Sequence, residues 1–207
     1  MNARNLFIVD DDDVVRASLQ SLMSVRSGLS IRSFRSGDAF LAELPMLDPG
    51  CILLDLHMPG ASGLDVLKTL ARQGEKHVAI ILTGQGDVIR AVQAMKAGAS
   101  DFLEKPCDHL SLLAAVDHAF EQLRQSTAEN DRIRAAQDKL ASLSSRELDV
   151  LKGLIDGRSN KIIAYDLDIS PRTVEIYRAK LMEKLGVKSL SEALRIAFAG
   201  GLIPNPD

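Results

Sequence analysis

Residues 1–121 alternate short apolar runs with segments of helical period. Asn5–Val9, Ser30–Phe34, Cys51–Leu54, Val78–Leu82 and Asp101–Glu104 are runs of strand length, and Cys51-Ile-Leu-Leu is bounded by turn signals, the pattern of a strand buried on both faces. Between them Val14–Ser24 places Val15, Leu19 and Leu22 on one helical face, and Leu64–Gln73 does the same with Leu64, Leu67 and Leu70. Gly37–Glu43 reads as a helix stopped by Pro45, Asp87–Ala97 as one closed by Gly98, and Asp108–Leu123 as a last amphipathic helix. Strand and helix repeated in this order predict an α/β fold, a doubly wound five-stranded parallel sheet with right-handed crossovers.

The pattern then changes. Residues 122–142 hold no Gly or Pro and carry a sparse stripe of Leu123, Ile133, Ala136 and Leu140, which suits either a solvated helix or a flexible connector. Beyond them only short helices are predicted. Ser144 with Glu147 makes a capping box, stapled by Leu143 and Leu148, and that helix ends at Gly157. Ser159–Leu167 is a second helix. Ser170-Pro171 opens a third that stops at Gly186, and Ser189 with Glu192 caps a fourth that ends at Gly200-Gly201. The expected domains are 1–123, a linker over 124–142 that favours helix, and a small all-α helix-turn-helix domain over 143–207.

Composition narrows the class. Two cysteines, Cys51 and Cys107, do not make a disulfide framework in 207 residues, and no apolar run reaches membrane-spanning length. The start shows no signal peptide, so a soluble cytoplasmic protein without membrane contact is expected. The net charge of −3 hides a basic stripe: over residues 170–188, Arg172, Arg178, Lys180, Lys184 and Lys188 face only Glu175 and Glu183.

Polar residues stand where the strands end. Asp10–Asp13 follow the first run, Asp55 the third, Thr83 the fourth and Lys105 the fifth. In open α/β sheets that edge is the ligand crevice. Carboxylates gathered there need a cation, and a donor set of oxygens alone selects a hard ion, Mg²⁺ first. A lysine and a hydroxyl beside them describe phosphoryl transfer to Asp55 as nucleophile. Each residue taken singly also fits a turn or cap.

These residues fall into a known pattern. Val9-Asp10-Asp11, Leu54-Asp55-Leu-His-Met-Pro-Gly, Leu82-Thr83-Gly and Phe102-Leu-Glu-Lys105-Pro106 resemble the flavodoxin-like receiver domain of two-component response regulators, over about residues 4–123. The resemblance implies that Asp55 is the phosphoacceptor. It implies Mg²⁺ on Asp11, Asp55 and the backbone carbonyl of His57, with Asp10 acting through water. Thr83 and Phe102 would form a switch pair, and Lys105, ahead of a cis Pro106, would meet the phosphoryl group. A haloacid-dehalogenase phosphatase with Asp10 as nucleophile is the enzyme alternative. It needs a further acidic pair, for which Asp108 is a poor candidate, and it leaves Asp55 unexplained. Cys107 with His109 lacks the second ligand pair of a zinc site.

In the third C-terminal helix Val174, Tyr177, Leu181 and Leu185 mark a core side, while Arg172, Glu175, Ile176, Ala179, Lys180 and Lys184 point outward. A small bundle with a merely solvated face, or one that docks a protein, would look similar. Asn160-Lys-Ile-Ile-Ala, Ile169-Ser-Pro-Arg-Thr-Val-Glu-Ile-Tyr-Arg and Lys184-Leu-Gly-Val-Lys-Ser resemble the LuxR-type DNA-binding domain. With Gly84-Gln-Gly-Asp-Val and Ala94-Met-Lys-Ala-Gly-Ala, the chain resembles FixJ-type response regulators. Tyr177 stands where that family often has His.

The expected DNA contacts on the third helix are Arg172, Thr173, Glu175, Ile176, Arg178, Ala179, Lys180 and Lys184, with Asn160, Lys161 and Lys188 outside it. Glu175 suits a cytosine N4 amine, or else orients Arg172 or Arg178, and Lys184 suits a phosphate. The implied protein is not an enzyme but a phosphorylation-dependent transcriptional regulator. Its implied partners are a sensor histidine kinase, double-stranded promoter DNA, RNA polymerase and a second copy of itself in a phosphorylation-dependent homodimer.

Overall fold

The computed structural model describes residues 4–73, 76–84 and 87–204, with the side chains of Gln73 and Val88 left aside. Gln85 and Gly86, which belong to the Gly84-Gln-Gly-Asp-Val motif, lie outside the described residues. The chain divides into two compact units, Met1–Thr127 and Ala128–Asp207.

The first unit is built from β1 (Arg4–Val9), α1 (Asp13–Ser24), β2 (Leu29–Phe34), α2 (Gly37–Glu43), β3 (Gly50–Asp55), α3 (Gly63–Gln73), β4 (His77–Thr83), α4 (Val88–Lys96), β5 (Asp101–Glu104) and the start of α5 (His109–Ala141). The five strands are parallel in the order β2-β1-β3-β4-β5. The central strand is buried at every position, because helices cover both faces and successive side chains point to opposite sides. Phe7, Val9, Ile52, Leu54 and Ile81 enter one core, and Leu6, Ile8, Cys51, Leu53, Ile80 and Leu82 the other. Each such side chain contributes about 1.5–3 kcal/mol by leaving water. The edge strand β5 alternates exposed and partly covered positions instead, and β2 does so over Leu29–Arg32 before burying Phe34.

Helix α2 ends at Glu43, ahead of Pro45, as its sequence predicts. Pro45 sits in a single 3₁₀ turn, Leu44–Met46, directly after α2. Proline lacks only an N–H that a first-turn residue would leave unbonded anyway, so the turn closes and buries Leu44.

Residues 109–141 form one helix, so the glycine-free stretch over 124–141 is helical. The second unit adds α6 (Ser145–Ile155), α7 (Asn160–Asp166), α8 (Pro171–Leu185) and α9 (Leu190–Ala199). The Ser144–Glu147 capping box forms, and Ser159, Ser170 and Ser189 each cap the helix that follows, a contribution of about 1 kcal/mol apiece. Gly186 ends α8 at φ 68°, in the left-handed region. Val150, Leu151, Ile163, Val174, Leu181 and Leu185 fill the core, with Tyr177 packed at its margin. A Cβ on Gly153 would stand 2.7 Å from Ile163 Cγ1. Glycine there lets α6 and α7 approach.

Candidate functional site

Sheet register gathers the polar groups. Val9 pairs with Leu54, Asp55 with Leu82 and Thr83 with Glu104, so the strands end nearly level. Asp10 leaves β1, Asp55 ends β3, Thr83 ends β4 and Lys105 follows β5. The Lys105 N–H donates to the Thr83 carbonyl at 2.7 Å, and the Lys105–Pro106 peptide is cis. Gly63 lets the loop after Asp55 fold back, since a Cβ there would stand 2.3 Å from the Asp55 carbonyl oxygen.

Two carboxylates share one ammonium. Lys105 Nζ donates to Asp10 Oδ2 at 2.6 Å and to Asp55 Oδ1 at 2.7 Å. Asp10 is 1% exposed and Asp55 6%. The backbone N–H of Asp12 binds the remaining Asp10 oxygen at 2.9 Å, and that of His57 binds Asp55 Oδ2 at 2.9 Å. Burial pushes the Asp55 carboxyl above the usual carboxylate range; Lys105 pulls it back, and the charge of Asp10 adds to the rise. For Lys105, burial works downward, but its bonds to Asp10 and Asp55 outweigh it and the net shift is upward.

The four consecutive acids divide their work. Asp12 caps α1 through Val14 and Val15, and Asp13 pairs with Arg16 in the first turn. Asp11 is exposed, and its side chain has no bonded partner among the described residues. Among those residues no three acidic, His or Cys side chains already converge as a metal-holding group. The donors that do gather are oxygens with one acid in excess over Lys105, and Asp11 stands next to Asp10. That chemistry fits a hard divalent cation that keeps open positions for phosphate oxygens.

Around the crevice, Thr83 is buried and its hydroxyl donates to the Gly84 carbonyl at 3.3 Å. Phe102, on the edge strand, is 42% exposed. His57 Nε2 lies 3.1 Å from Asp87 Oδ2 and 2.5 Å from Arg90 Nη1. A neutral imidazole can donate to the acid or accept from the guanidinium at that nitrogen, one at a time.

In the second unit Arg172, Glu175, Ile176, Ala179 and Lys180 are exposed along α8, with Lys161 and Lys188 exposed nearby. Thr173 is half-buried and hydrogen-bonds the capping Ser170 hydroxyl at 2.8 Å. Arg178 Nη1 donates to Asn160 Oδ1 at 2.7 Å, tying α8 to the start of α7. Glu175 is in no ion pair among the described residues, so neither Arg172 nor Arg178 is oriented by it. Lys184 Nζ donates to Glu147 Oε2 at 2.7 Å and to the Ser142 carbonyl at 3.3 Å. Its charge is engaged within the unit, and a phosphate would compete with that pair.

Several contacts have no counterpart in the sequence. Glu147, read only as a capping residue, is 3% exposed and also receives Lys184. Asp87 and Arg90 meet His57, and Arg16 bonds the Asp10 carbonyl at 2.7 Å. The Asp13–Arg16 spacing was the one available hint, since residues three apart share a helix face.

A doubly wound sheet with this acid and lysine crevice defines a receiver, and the comparisons agree. Residues 6–117 match the family model of the response regulator receiver domain. Residues 141–197 match that of the bacterial regulatory proteins of the luxR family. The chain belongs to the response regulators, within the group that joins a receiver to a LuxR-type DNA-binding domain. It is similar to transcriptional regulatory protein FixJ of Azorhizobium caulinodans, at 46% identity over 200 residues, covering 97% of this chain and 94% of that one. Among solved structures it resembles the response regulator StyR, with TM-score 0.82, 32% identity and coverage of 95% and 98% of the two chains. Full-length FixJ from B. japonicum matches with TM-score 0.60, 41% identity and coverage of 98% and 100%.

Proposed function

We propose that this chain takes a phosphoryl group on Asp55 from a sensor histidine kinase and, so modified, dimerises and binds promoter DNA to regulate transcription by RNA polymerase in the cytoplasm. The observation that carries the reading is the pair of buried acids sharing Lys105, in one chain with an exposed basic helix. An Asp55 carboxylate oxygen attacks the phosphorus of a phosphohistidine. The P–N bond breaks, the imidazole leaves, and an acyl phosphate remains. Asp11, Asp55 and the His57 backbone carbonyl, with Asp10 in support, would hold Mg²⁺, and the ion would supply positive charge for the transferring phosphoryl oxygens.

Once Asp55 carries the phosphoryl group, the new anion competes for Lys105 and for the Thr83 hydroxyl. Thr83 turning from the Gly84 carbonyl toward the phosphoryl oxygens opens room on its far side, and Phe102 moves in. Ile89, Val92 and Met95 stand exposed at helical spacing on α4, and Phe102 is exposed on β5, a strand that α4 contacts. That apolar face is the proposed dimer surface, biased by the position of Phe102. Two copies then present two α8 helices to successive half-sites.

On each α8, Glu175 and Ile176 in the first turns address base edges. Arg172, Thr173, Ala179 and Lys180 flank them, and Arg178 is steadied by Asn160. Lys161 and Lys188 address phosphates, and Lys184 would join them only by leaving Glu147. Glu175 cannot gain from phosphates, so it fits a cytosine N4 donor.

Mobility shifts on genomic fragments, with and without acetyl phosphate, test the whole reading. Tighter, salt-sensitive binding after phosphorylation is expected; no duplex binding in either state would refute it. Binding-site selection with Glu175→Ala should relax one base pair, worth about 1–3 kcal/mol, and an unchanged motif would remove Glu175 from base readout.

A further inference from the structure

Asp10 sits where the sheet runs out. The β1–β3 ladder ends at Val9 and Leu54, so no strand neighbour is left to bond the Asp10 carbonyl. Its N–H donates to the Phe34 carbonyl at 3.2 Å. With the residue 1% exposed, the oxygen on its other side needs a donor from elsewhere. Arg16 supplies it: Nη1 reaches the Asp10 carbonyl at 2.7 Å, from a side chain itself only 14% exposed. Both peptide groups flanking Asp10 are therefore held. The plane that leads into Asp11 has one orientation.

A cation this close to an acid crevice ought to repel a metal ion. Asp13 removes that objection, because its carboxylate pairs with Arg16 Nη2 and makes the clamp electrically neutral. The local helix supports both contacts, since Asp12 caps α1 and Asp13 and Arg16 lie three apart on its first turns.

We propose that Arg16, neutralised by Asp13, is a positioning residue of the metal site: it fixes the Asp10–Asp11 peptide so that both carboxylates are presented together to a divalent cation. This rests on reading Asp10, Asp11 and Asp55 as that site. Groups behind metal ligands commonly matter about 10–100-fold in affinity. Arginine is needed because its fork reaches a carbonyl and a carboxylate at once, whereas lysine is a point charge.

The test is calorimetric titration of the full chain with MgCl₂, without any phosphodonor, alongside thermal melts. Arg16→Ala should bind Mg²⁺ about 10–100-fold more weakly than wild type, and Arg16→Lys should fall in between. Asp13→Asn should lose affinity because Arg16 is left uncompensated, and that loss should shrink as salt screens it. With acetyl phosphate, Arg16→Ala should need more Mg²⁺ for half-maximal labelling yet recover at saturating Mg²⁺, which a residue of merely structural role would not show. Wild-type affinity in Arg16→Ala, with only the melting temperature lowered, would overturn the proposal. No Mg²⁺ binding by wild type would instead bring down the metal-site reading, and the proposal with it.

Discussion

Each unit of this protein buries acid against lysine, and the two arrangements differ in balance. In the receiver, Asp10 and Asp55 share Lys105, two negative charges against one positive. In the C-terminal unit, Glu147 has Lys184 to itself and also accepts the Ser144 N–H at 2.8 Å. The consequence shows in the carboxyls. Burial and a like charge push Asp55 up, while Lys184, with help from Ser144, holds Glu147 down. Matched one to one, with Glu147 Oε2 accepting from both Lys184 and Ser144, the second pair closes a fold. Mismatched by one charge at an open strand edge, the first cluster keeps a net negative charge beside Lys105, which suits the cation of the proposed phosphoryl-accepting site.

The largest effect comes from cancelling the mismatch. Asp55→Asn should abolish labelling by small phosphodonors, because an amide is no nucleophile. Its receiver should melt no lower than wild type, since one of two competing charges is gone. Full labelling of this variant would remove Asp55 as acceptor.

Deepening the mismatch comes next. Lys105→Ala strands both acids and should cost the receiver roughly 2–4 kcal/mol in urea unfolding. Added Mg²⁺ should recover part of that loss and stabilise the variant more than wild type, while phosphorylation no longer promotes dimerisation. Dimerisation to the wild-type extent would show that the lysine does not read the phosphoryl group.

Breaking the balanced pair is milder. Lys184→Ala should cost the C-terminal unit about 1–2 kcal/mol, because Glu147 keeps Ser144 and the lysine is partly solvated. The salt slope of DNA binding should stay unchanged. A slope reduced by about one unit would mean that Lys184 leaves Glu147 for a phosphate.

The smallest effect is in pH, and the two clusters should bend opposite ways. The folded pKa of Glu147 lies below its ordinary 4.5. Its contribution is therefore complete above that value and lost as pH falls through the folded one. The folded pKa of Asp55 lies above its ordinary 3.8, so ionisation there favours unfolding and acidification through the raised value relieves the receiver. Melts of Glu147→Gln and Asp55→Asn against wild type, from neutral to acid pH, should show differences of opposite sign. Parallel curves would mean that the two carboxylates are held alike.

Much of this was legible beforehand for local reasons. A strand buried on both faces must be apolar throughout, so Cys51–Leu54 announced β3 and Asp55 announced its end. Serine caps with Glu147 or Glu192 three residues on mark helix starts through bonds within one turn, and Gly186 marks an end through its positive φ. Because strands of a parallel sheet finish on a common edge, Asp10, Asp55, Thr83 and Lys105 could be grouped from their places in the alternation alone. Tertiary structure alone decided which of the grouped atoms touch: that Lys105 spans two acids, that Arg16 turns back to the Asp10 carbonyl, that Asn160 rather than Glu175 meets Arg178, and that Lys184 crosses to Glu147. Helix period, caps and burial are set by neighbours within a few residues. The partner of a long charged side chain is set by where crossovers and turns bring distant backbone, and no spacing along the chain encodes that meeting.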